Sequence, residues 1–459
     1  MTSQPLFPHL FSKNIFCIPA GDIWEIEPER IFFVYAPFSG LQMLADKEQV
    51  QCLDKVAASS EGPEEIVKTF DALVRNANLP VERVRFDTQE LYQIDILANN
   101  TCNFHCIYCY SAAGRSNTKL RIDQITPLID YLFDGRHNAS APYAIHFSGG
   151  GEPLLSIDII RQTIDYIESA CSHGNGHPYR LGLVTNGSLL TDEIASYLHQ
   201  KNVEIVISFE ILEFLQNKER GSYAQVSANI DSLTQNGIPF SIRTTFTSES
   251  VPYMNEMVDT VHRRFPGIRA LTFDTVLSAD LFRTPKELEN YYSDFLDAFY
   301  KAREYADPFG IKIMCLPAEP LLLLRDRTCA GKFVLTPEGK ISACSRVSSP
   351  KEKNYEKYEY GEIREGCLYV DQNRFEAIMK DCNIYSQPMC SDCFAKWNCG
   401  GGCRLFHHSF DERFESVRCD FVRNALRRHL FSELSRSFHR ATGKKLKEHI
   451  EAKIKNNEL

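Results

Sequence analysis

The sequence predicts an α/β fold built on a parallel sheet, and three observations carry that expectation. Between residues 91 and 277 six short β-rich segments, LYQIDILA, AIHFSGG, RLGLVTNG, NVEIVISFE, PFSIRTTFT and ALTFDTVL, alternate with helical stretches. That alternation is the pattern of parallel strands joined by crossovers. In the stretches between them Ile125, Leu128, Ile129 and Leu132 recur at helical spacing, as do Val226, Ile230 and Leu233. Thr191 stands where an N-cap belongs, ahead of Ile194 and Leu198. The pattern leaves open a partial barrel or a doubly wound sheet, and in either one functional groups gather at the carboxyl ends of the strands.

The flanks read differently. Over residues 1–90 the pieces IFCIPAG, DIWEIEPE and IFFVYAPFSG look like strands and QVQCLDKVA and EEIVKTFDALVRNA like helices, a small α+β module. The parallel region occupies 91–309. Across 310–425 the alternation stops, cysteines become dense and glycine-rich turns appear, the mark of a loop-rich domain held by metal as well as by a core. Residues 426–459, with RNALRRHLF and ATGKKLKEHIEAKIKNN, read as a basic amphipathic helix.

A chain with 43% hydrophobic and 24% charged residues is not largely disordered or collagen-like. A net charge of -9 provides no broad basic field, so neither nucleic acid nor an anionic membrane is an expected partner. The opening residues lack a basic segment leading into a long apolar run, and no stretch approaches 18 apolar residues, so neither an export signal nor a spanning helix is expected. The expected location is cytoplasmic. Sixteen cysteines are then an anomaly, because a reducing compartment discourages disulfides and a thiol-rich chain there binds metal or uses sulfur chemically.

The first cysteine group, Cys102, Cys106 and Cys109, follows the first parallel strand as C-x3-C-x2-C. Thiolates on one short loop wrap one metal centre. A structural zinc site wants four protein ligands, and a four-iron cluster held by four cysteines is complete, whereas three cysteines leave one iron open. Spacing alone also admits a zinc knuckle with a remote fourth ligand.

With an aromatic residue, Tyr108, before its last cysteine, this loop resembles the cluster motif of the radical S-adenosylmethionine superfamily. The resemblance implies a 4Fe–4S cluster on Cys102, Cys106 and Cys109 whose open iron chelates S-adenosylmethionine, with Tyr108 near the adenine. It extends to the run SGGGEP, where Gly149, Gly150, Gly151 and Glu152 match the family's glycine-rich motif and let the backbone approach the bound methionine. VTNGSLLT, ISFEIL, NKERGS and SIRTT resemble the later strand ends and imply that Asn186, Ser208 and Arg243 contact the ribose or carboxylate. By residue type alone these are equally turn formers and a surface ion pair. Glu210 stands where many relatives have Asp, and His105 and His146 are assigned no role.

Cys329, Cys344, Cys390, Cys393, Cys399, Cys403 and Cys419, with Gly339 ahead of Cys344, resemble the SPASM extension of some of these enzymes. The resemblance implies two auxiliary 4Fe–4S clusters, one on Cys390, Cys393, Cys399 and Cys419, the other on Cys329, Cys344 and Cys403. Leu323 occupies the place of a further cysteine, so Cys315 or Cys367 supplies the fourth ligand or one iron stays open. Cys17, Cys52, Cys171 and Cys382 have no motif partners and are expected as buried small apolar residues.

With that resemblance the expected fold is α/β, a partial (β/α)6 TIM-type barrel with an N-terminal α+β module and a loop-rich C-terminal iron–sulfur domain. The implied reaction is reductive cleavage of S-adenosylmethionine and hydrogen abstraction by a 5'-deoxyadenosyl radical. Sulfatase maturases commonly carry Asp after the cysteine matching Cys344, where this chain has Ser345. The favoured substrate is therefore a ribosomally made precursor peptide, receiving a cross-link or other modification. The N-terminal module is expected to recognise its leader by β-augmentation or to act as a packing cap, and flavodoxin or ferredoxin is the expected electron donor. The alternatives are an anaerobic formylglycine-forming sulfatase maturase, a small-molecule dehydrogenase, or, without catalysis, a zinc-stabilised peptide-binding adaptor.

Overall fold

The computed structural model describes residues 5–75, 85–276, 281–315, 323–381 and 383–456. Its first strands, β1 (Phe16–Pro19), β2 (Ile31–Ala36) and β3 (Leu41–Asp46), form an antiparallel sheet in the order β1-β2-β3. Strand β2 is apolar at every position because both of its faces are covered. Phe32 and Val34 face the module's own core with Val50, Leu53 and Leu73, whereas Ile31, Phe33 and Tyr35 join the large core of the molecule.

The segment DIWEIEPE is not a strand. It forms two short 3-10 turns, Gly21–Trp24 and Pro28–Arg30, separated by Glu25 in a left-handed conformation at φ 59°. Pro28 has no N–H to give a ladder, and a side chain at Gly21 would meet the Glu27 carbonyl. The third strand is LQMLAD instead. The double turn places Trp24 against the last two helices, Glu412–Thr442 and Leu446–Lys455, its ring 5.9 Å from that of Phe431 in the first and its Nε1 donating to the Lys447 carbonyl of the second at 3.2 Å.

The second sheet contains β4 (Gln93–Ile96), β5 (Tyr143–Phe147), β6 (Tyr179–Thr185), β7 (Val203–Ser208), β8 (Phe240–Phe246), β9 (Ala270–Thr275) and β10 (Lys312–Met314), paired in parallel in consecutive order. Six parallel strands are expected from the alternation and seven form this series, because the three residues of β10 are too few to show a periodicity. Beyond β4 the sheet continues through β11 (Phe333–Leu335), parallel to β4, and an antiparallel meander of β12 (Lys340–Ser342), β13 (Glu359–Arg364) and β14 (Cys367–Val370). The second edge of β4 is thus taken by β11, and the barrel stays open rather than closing on β10. The connecting helices bury the expected apolar stripes, Ile125, Leu128, Ile129 and Leu132 in Ile122–Phe133 and Val226, Ile230 and Leu233 in Tyr223–Gln235. Thr191 caps Asp192–Gln200, its hydroxyl accepting from the Ile194 amide.

The C-terminal basic segment begins earlier than its composition suggests, inside a 31-residue helix, Glu412–Thr442. That helix lies along Pro285–Ala306, with Tyr292 and Phe421 stacked at 4.1 Å and the Tyr300 hydroxyl on the Ala425 carbonyl. Two of its arginines are used within the fold, Arg427 on Asp22 and Arg428 on Asp297. Cys17, Cys52 and Cys171 are half-buried rather than enclosed, since they sit at the margins of the cores, and Cys382 lies outside the described residues. Among the described residues no helix is long and apolar enough to cross a membrane.

Trp24 is 6% exposed and bridges the first and last segments of the chain. Replacing Trp24 by Ala is expected to cost about 3–5 kcal/mol in urea unfolding, the range for emptying a buried aromatic site. A loss under about 1 kcal/mol would mean that this contact does not brace the fold.

Candidate functional site

The site is assembled where two strands end. After β4 the chain forms the cysteine loop, and after β5 it makes the glycine turn. Gly149 and Gly150 take φ of 87° and 66°, a left-handed conformation that suits glycine. At Gly151 space rather than torsion excludes a side chain, since a Cβ there would stand 1.8 Å from the Thr101 carbonyl oxygen. The two backbones are joined directly, Gly151 N–H donating to the Asn99 carbonyl at 2.9 Å and Glu152 N–H to that of Thr101 at 2.8 Å. The glycines expected to approach a bound cofactor therefore approach the cysteine loop first. The loop is tied on its other side by the Ile107 amide, which donates to the Glu219 carbonyl at 3.0 Å.

Between these elements lies a cavity of about 360 Å³. Cys102, Cys106, Tyr108 and Cys109 line it from the loop, Gly149, Gly150, Gly151 and Glu152 from the turn, and Asn186, Ser208 and Arg243 from the ends of β6, β7 and β8. Strand ends so far apart in sequence meet because the sheet is parallel and consecutive. The volume falls in the range of small-molecule sites.

Each polar group has a defined environment. Glu152 is buried and accepts from the Thr185 hydroxyl at 2.6 Å, the Asn186 amide at 2.7 Å and the Leu154 amide at 3.1 Å. Burial pushes its carboxyl above the ordinary value, and those hydrogen bonds pull the other way. Asn186 donates through its side chain to Asn103 at 2.8 Å, tying β6 to the cysteine loop. Arg243 is not a surface ion pair; it meets Asp274 of β9 within the cavity wall. Tyr108 lies over a buried pair, its hydroxyl donating to Glu210 and accepting from Arg220 at 2.9 Å. Burial pushes the Glu210 carboxyl up to about 7 despite the guanidinium. Arg115 donates to Cys109 Sγ at 3.3 Å. Burial pushes the Cys106 and Cys109 thiols above their ordinary value, so as free thiols they keep their protons.

Four functional candidates were not legible in sequence: Arg115, Arg220, Asp274 and Arg346 all line the same cavity. Arg220 lies within NKERGS, whose resemblance to a later strand end singles out no residue there, and Asp274 becomes visible only through the β8–β9 register, which opposes Arg243 to Thr272 two residues before it. Of the two histidines, His105 is exposed and His146 faces Asp95 at 3.6 Å.

The later cysteines form two neighbourhoods. Burial pushes the Cys344 thiol up to about 12, with Cys403 and Cys329 close enough to push further. Cys390, raised likewise to about 12, lies near Cys393, Cys399 and Cys419. Cys367 does not join the first neighbourhood: it is exposed, at the tip of the β13–β14 hairpin opposite Arg364. The β12–β13 register, Ser342 beside Glu359, puts that tip at the far end from Cys344. Cys315 is buried beside Tyr291, and Leu323 is 65% exposed. Among the described residues no three His, Cys, Asp or Glu side chains converge as ligands of a single metal ion. The donor sets fit a wider group: a four-iron cubane takes soft thiolates at the corners of a larger tetrahedron, and three thiols around a cavity leave one corner for another ligand.

Residues 96–261 match the family model described as the radical SAM superfamily. An uncharacterized protein of Methanocaldococcus jannaschii is 29% identical over 180 residues, covering 38% of this chain and 59% of that protein. The radical SAM cyclopropyl synthase TigE of Paramaledivibacter caminithermalis is 27% identical over 135 residues, covering 27% of this chain and 28% of TigE. The chain thus spans less than two-thirds of the length of either relative. In three dimensions it resembles native anSMEcpe, solved with bound AdoMet and Kp18Cys peptide, with a TM-score of 0.57 at 16% identity over 74% of this chain and 98% of that one. At that identity the likeness is one of fold.

Removing one partner of a buried pair strands the other, so Arg220→Ala is expected to cost about 3–5 kcal/mol in chemical denaturation. Because a neutral carboxyl tolerates burial better than an anion, the loss should grow from about pH 6 to about pH 8 as Glu210 gives up its proton. Adding Glu210→Gln should recover part of it; a pH-independent loss that the second change leaves untouched would contradict the pairing. Gly151→Ala, which drives a methyl into the Thr101 carbonyl, should cost about 1–3 kcal/mol and lower the iron taken up on reconstitution.

Proposed function

With residues 96–261 a radical SAM domain, we propose that the chain is a radical S-adenosylmethionine enzyme that modifies a ribosomally made peptide. The observation that carries this reading is the single cavity into which the cysteine loop, the glycine turn and the strand ends all open. Cys102, Cys106 and Cys109 hold a 4Fe–4S cluster there, and Gly149, Gly150, Gly151, Glu152, Asn186, Ser208, Arg243 and Tyr108 frame the cofactor beside it. When bound, the cluster and S-adenosylmethionine supply a 5'-deoxyadenosyl radical able to abstract hydrogen from substrate carbon.

The chain's own task is to orient these partners and exclude water. The backbone clamp between residues 99–101 and the glycine turn keeps the loop from shifting, and Glu152 holds the ends of β5 and β6 together through its hydrogen bonds from Thr185 and Asn186. Cys329, Cys344 and Cys403 hold one auxiliary cluster, and Cys390, Cys393, Cys399 and Cys419 a second. Cys315 or Cys367 supplies the fourth ligand of the first, or one iron stays open to substrate; the place of Cys367 at the hairpin tip away from Cys344 favours Cys315 over it.

Three points support a peptide as substrate and a product other than formylglycine. Ser345 lines the cavity where sulfatase maturases commonly present a carboxylate. The cavity carboxylates are engaged, Asp274 by Arg243 and Glu152 by Thr185, Asn186 and Leu154, which leaves no idle base there among the described residues. The fold neighbour anSMEcpe is solved with a peptide bound. In the N-terminal module β3 is an edge strand with Leu41 42% exposed, suited to pairing with an extended leader. A flavodoxin or ferredoxin supplies the electrons, in the cytoplasm.

Anaerobic reconstitution is expected to yield about twelve irons per chain, as three four-iron clusters require, with 5'-deoxyadenosine formed from S-adenosylmethionine and dithionite. Cys106→Ala should abolish deoxyadenosine, whereas Cys393→Ala should retain its formation and lose turnover of peptide. Zinc without deoxyadenosine would replace this reading by a peptide-binding adaptor, and undiminished cleavage by Cys106→Ala would refute the cluster assignment.

A further inference from the structure

The wall of the cavity facing the glycine turn comes from the loop after Cys344. The Ser345 carbonyl lies against Gly149, only 3.0 Å from where a Cβ would be, so this loop is docked on the turn and has no slack. Its conformation is pinned from within, the Val347 amide donating to the Cys344 carbonyl at 3.1 Å and the Ser348 and Ser349 amides both donating to the buried Glu352. Arg346 projects from this rigid loop into the cavity, its guanidinium carbon 5.3 Å from the centre of the Tyr110 ring. Tyr110 itself, two-fifths or more open at 45%, shows its free surface to the same space.

The charges of the cavity wall are nearly all accounted for. Arg220 is matched by Glu210, Arg243 by Asp274, and Arg115 lies on the Cys109 sulfur, where a bound cluster would place negative charge. Glu152 spends its lone pairs on three donors. Arg346 is different: among the described residues it has no carboxylate partner, and its charge is felt by the Tyr110 ring beside it and by the Cys344 thiol two residues before it. A guanidinium's planar fork of donors matches a carboxylate. Next to it stands Ser345 rather than an acid, so this corner of the site is positive.

We propose that Arg346 is the specificity-determining residue of the substrate subsite and that the substrate presents a carboxylate to it. The inference rests on the peptide reading above and deepens it: the peptide segment entering the cavity is acidic, carrying either an Asp or Glu side chain or the free C-terminal carboxylate. The loop-pinned guanidinium over the Tyr110 ring fixes the anion, and through it the carbon that faces the cofactor. An ion pair in this walled site restrains the substrate more than one on the surface does, because water competes less for both partners.

The test uses the reconstituted full chain with S-adenosylmethionine and measures binding of capped pentaglycine peptides by titration calorimetry. One carries a central Glu, one a central Gln, one a central Lys, and one has no side chain but a free C-terminus. A carboxylate peptide should bind at least about tenfold tighter than the Gln peptide, and whichever of the two binds identifies the source of the carboxylate. Arg346→Gln should erase that difference, Arg346→Lys should retain part of it, and Arg346→Glu should favour the Lys peptide. The proposal is overturned if neither carboxylate peptide exceeds the Gln peptide with the unaltered chain, or if the preference survives Arg346→Gln. It is equally overturned if that substitution weakens S-adenosylmethionine binding, or shifts the magnetic spectrum of an auxiliary cluster, while the peptide preference stands. Iron content and deoxyadenosine formation by the unaltered chain report separately on the radical reading, so its failure is distinguishable from failure of the carboxylate subsite.

Discussion

The close approach of two backbone segments, residues 99–101 and the glycine turn after β5, is the constraint on which the site depends. Contact at this range is possible only without a side chain at Gly151 and with left-handed torsions at Gly149 and Gly150. It couples the ends of β4 and β5 so that the cysteine loop cannot swing away from the cavity. Asn99 extends the clamp, donating from its side chain to the Glu152 carbonyl and the Ser156 hydroxyl, both at 2.9 Å. Because hydrogen bonds on both sides of the loop are satisfied inside the fold, the thiols are placed before anything binds them, which is what preorganisation of a site requires.

Around this clamp the molecule arranges buried charge with little waste. Tyr108, Glu210 and Arg220 form one set beneath the loop, Asp95 with Lys332 at 2.8 Å and His146 another below the sheet's carboxyl end, and Arg243 with Asp274 a third. Lys332 and His146 hold the Asp95 carboxyl below its ordinary value although burial opposes them. An unpartnered charge in such surroundings would cost several kcal/mol, roughly the margin of stability of a folded domain. Arg346, half-buried at the cavity wall and without a carboxylate partner among the described residues, stands apart from these pairs.

The helix Glu412–Thr442 connects parts that sequence analysis treats as separate. It holds Cys419 and Arg418 near the second thiol neighbourhood, packs on Pro285–Ala306 and reaches the N-terminal module through Arg427 and Phe431. The module also touches the loop between Cys393 and Cys399: the Trp397 indole donates to Asn14 at 2.7 Å and the Tyr35 hydroxyl to Asn398 at 3.2 Å. The N-terminal sheet is therefore packed on the cysteine-rich region as well as on the parallel sheet, which is why β2 has no polar face.

The residues alone determined the parallel α/β core, because period-2 and period-3.6 patterns follow from which faces must leave water. They also determined the cysteine loop and the glycine run, since ligands on one short loop and a turn forbidden to side chains leave a local imprint. Short or shared features left none. The three residues of β10 carry no period, the alternation in DIWEIEPE was overridden by Pro28 and the crowding at Gly21, and a composition-based start for the last helix missed its first turns. Only the tertiary structure decided that β11 occupies the edge of β4 and keeps the barrel open, that Cys367 lies far from Cys344, and that Arg243 meets Asp274 while Arg346 meets no acid among the described residues. Each of these is a relation between residues distant in the chain. Register and long-range packing set such relations, and neither is encoded in the spacing of neighbours along the sequence.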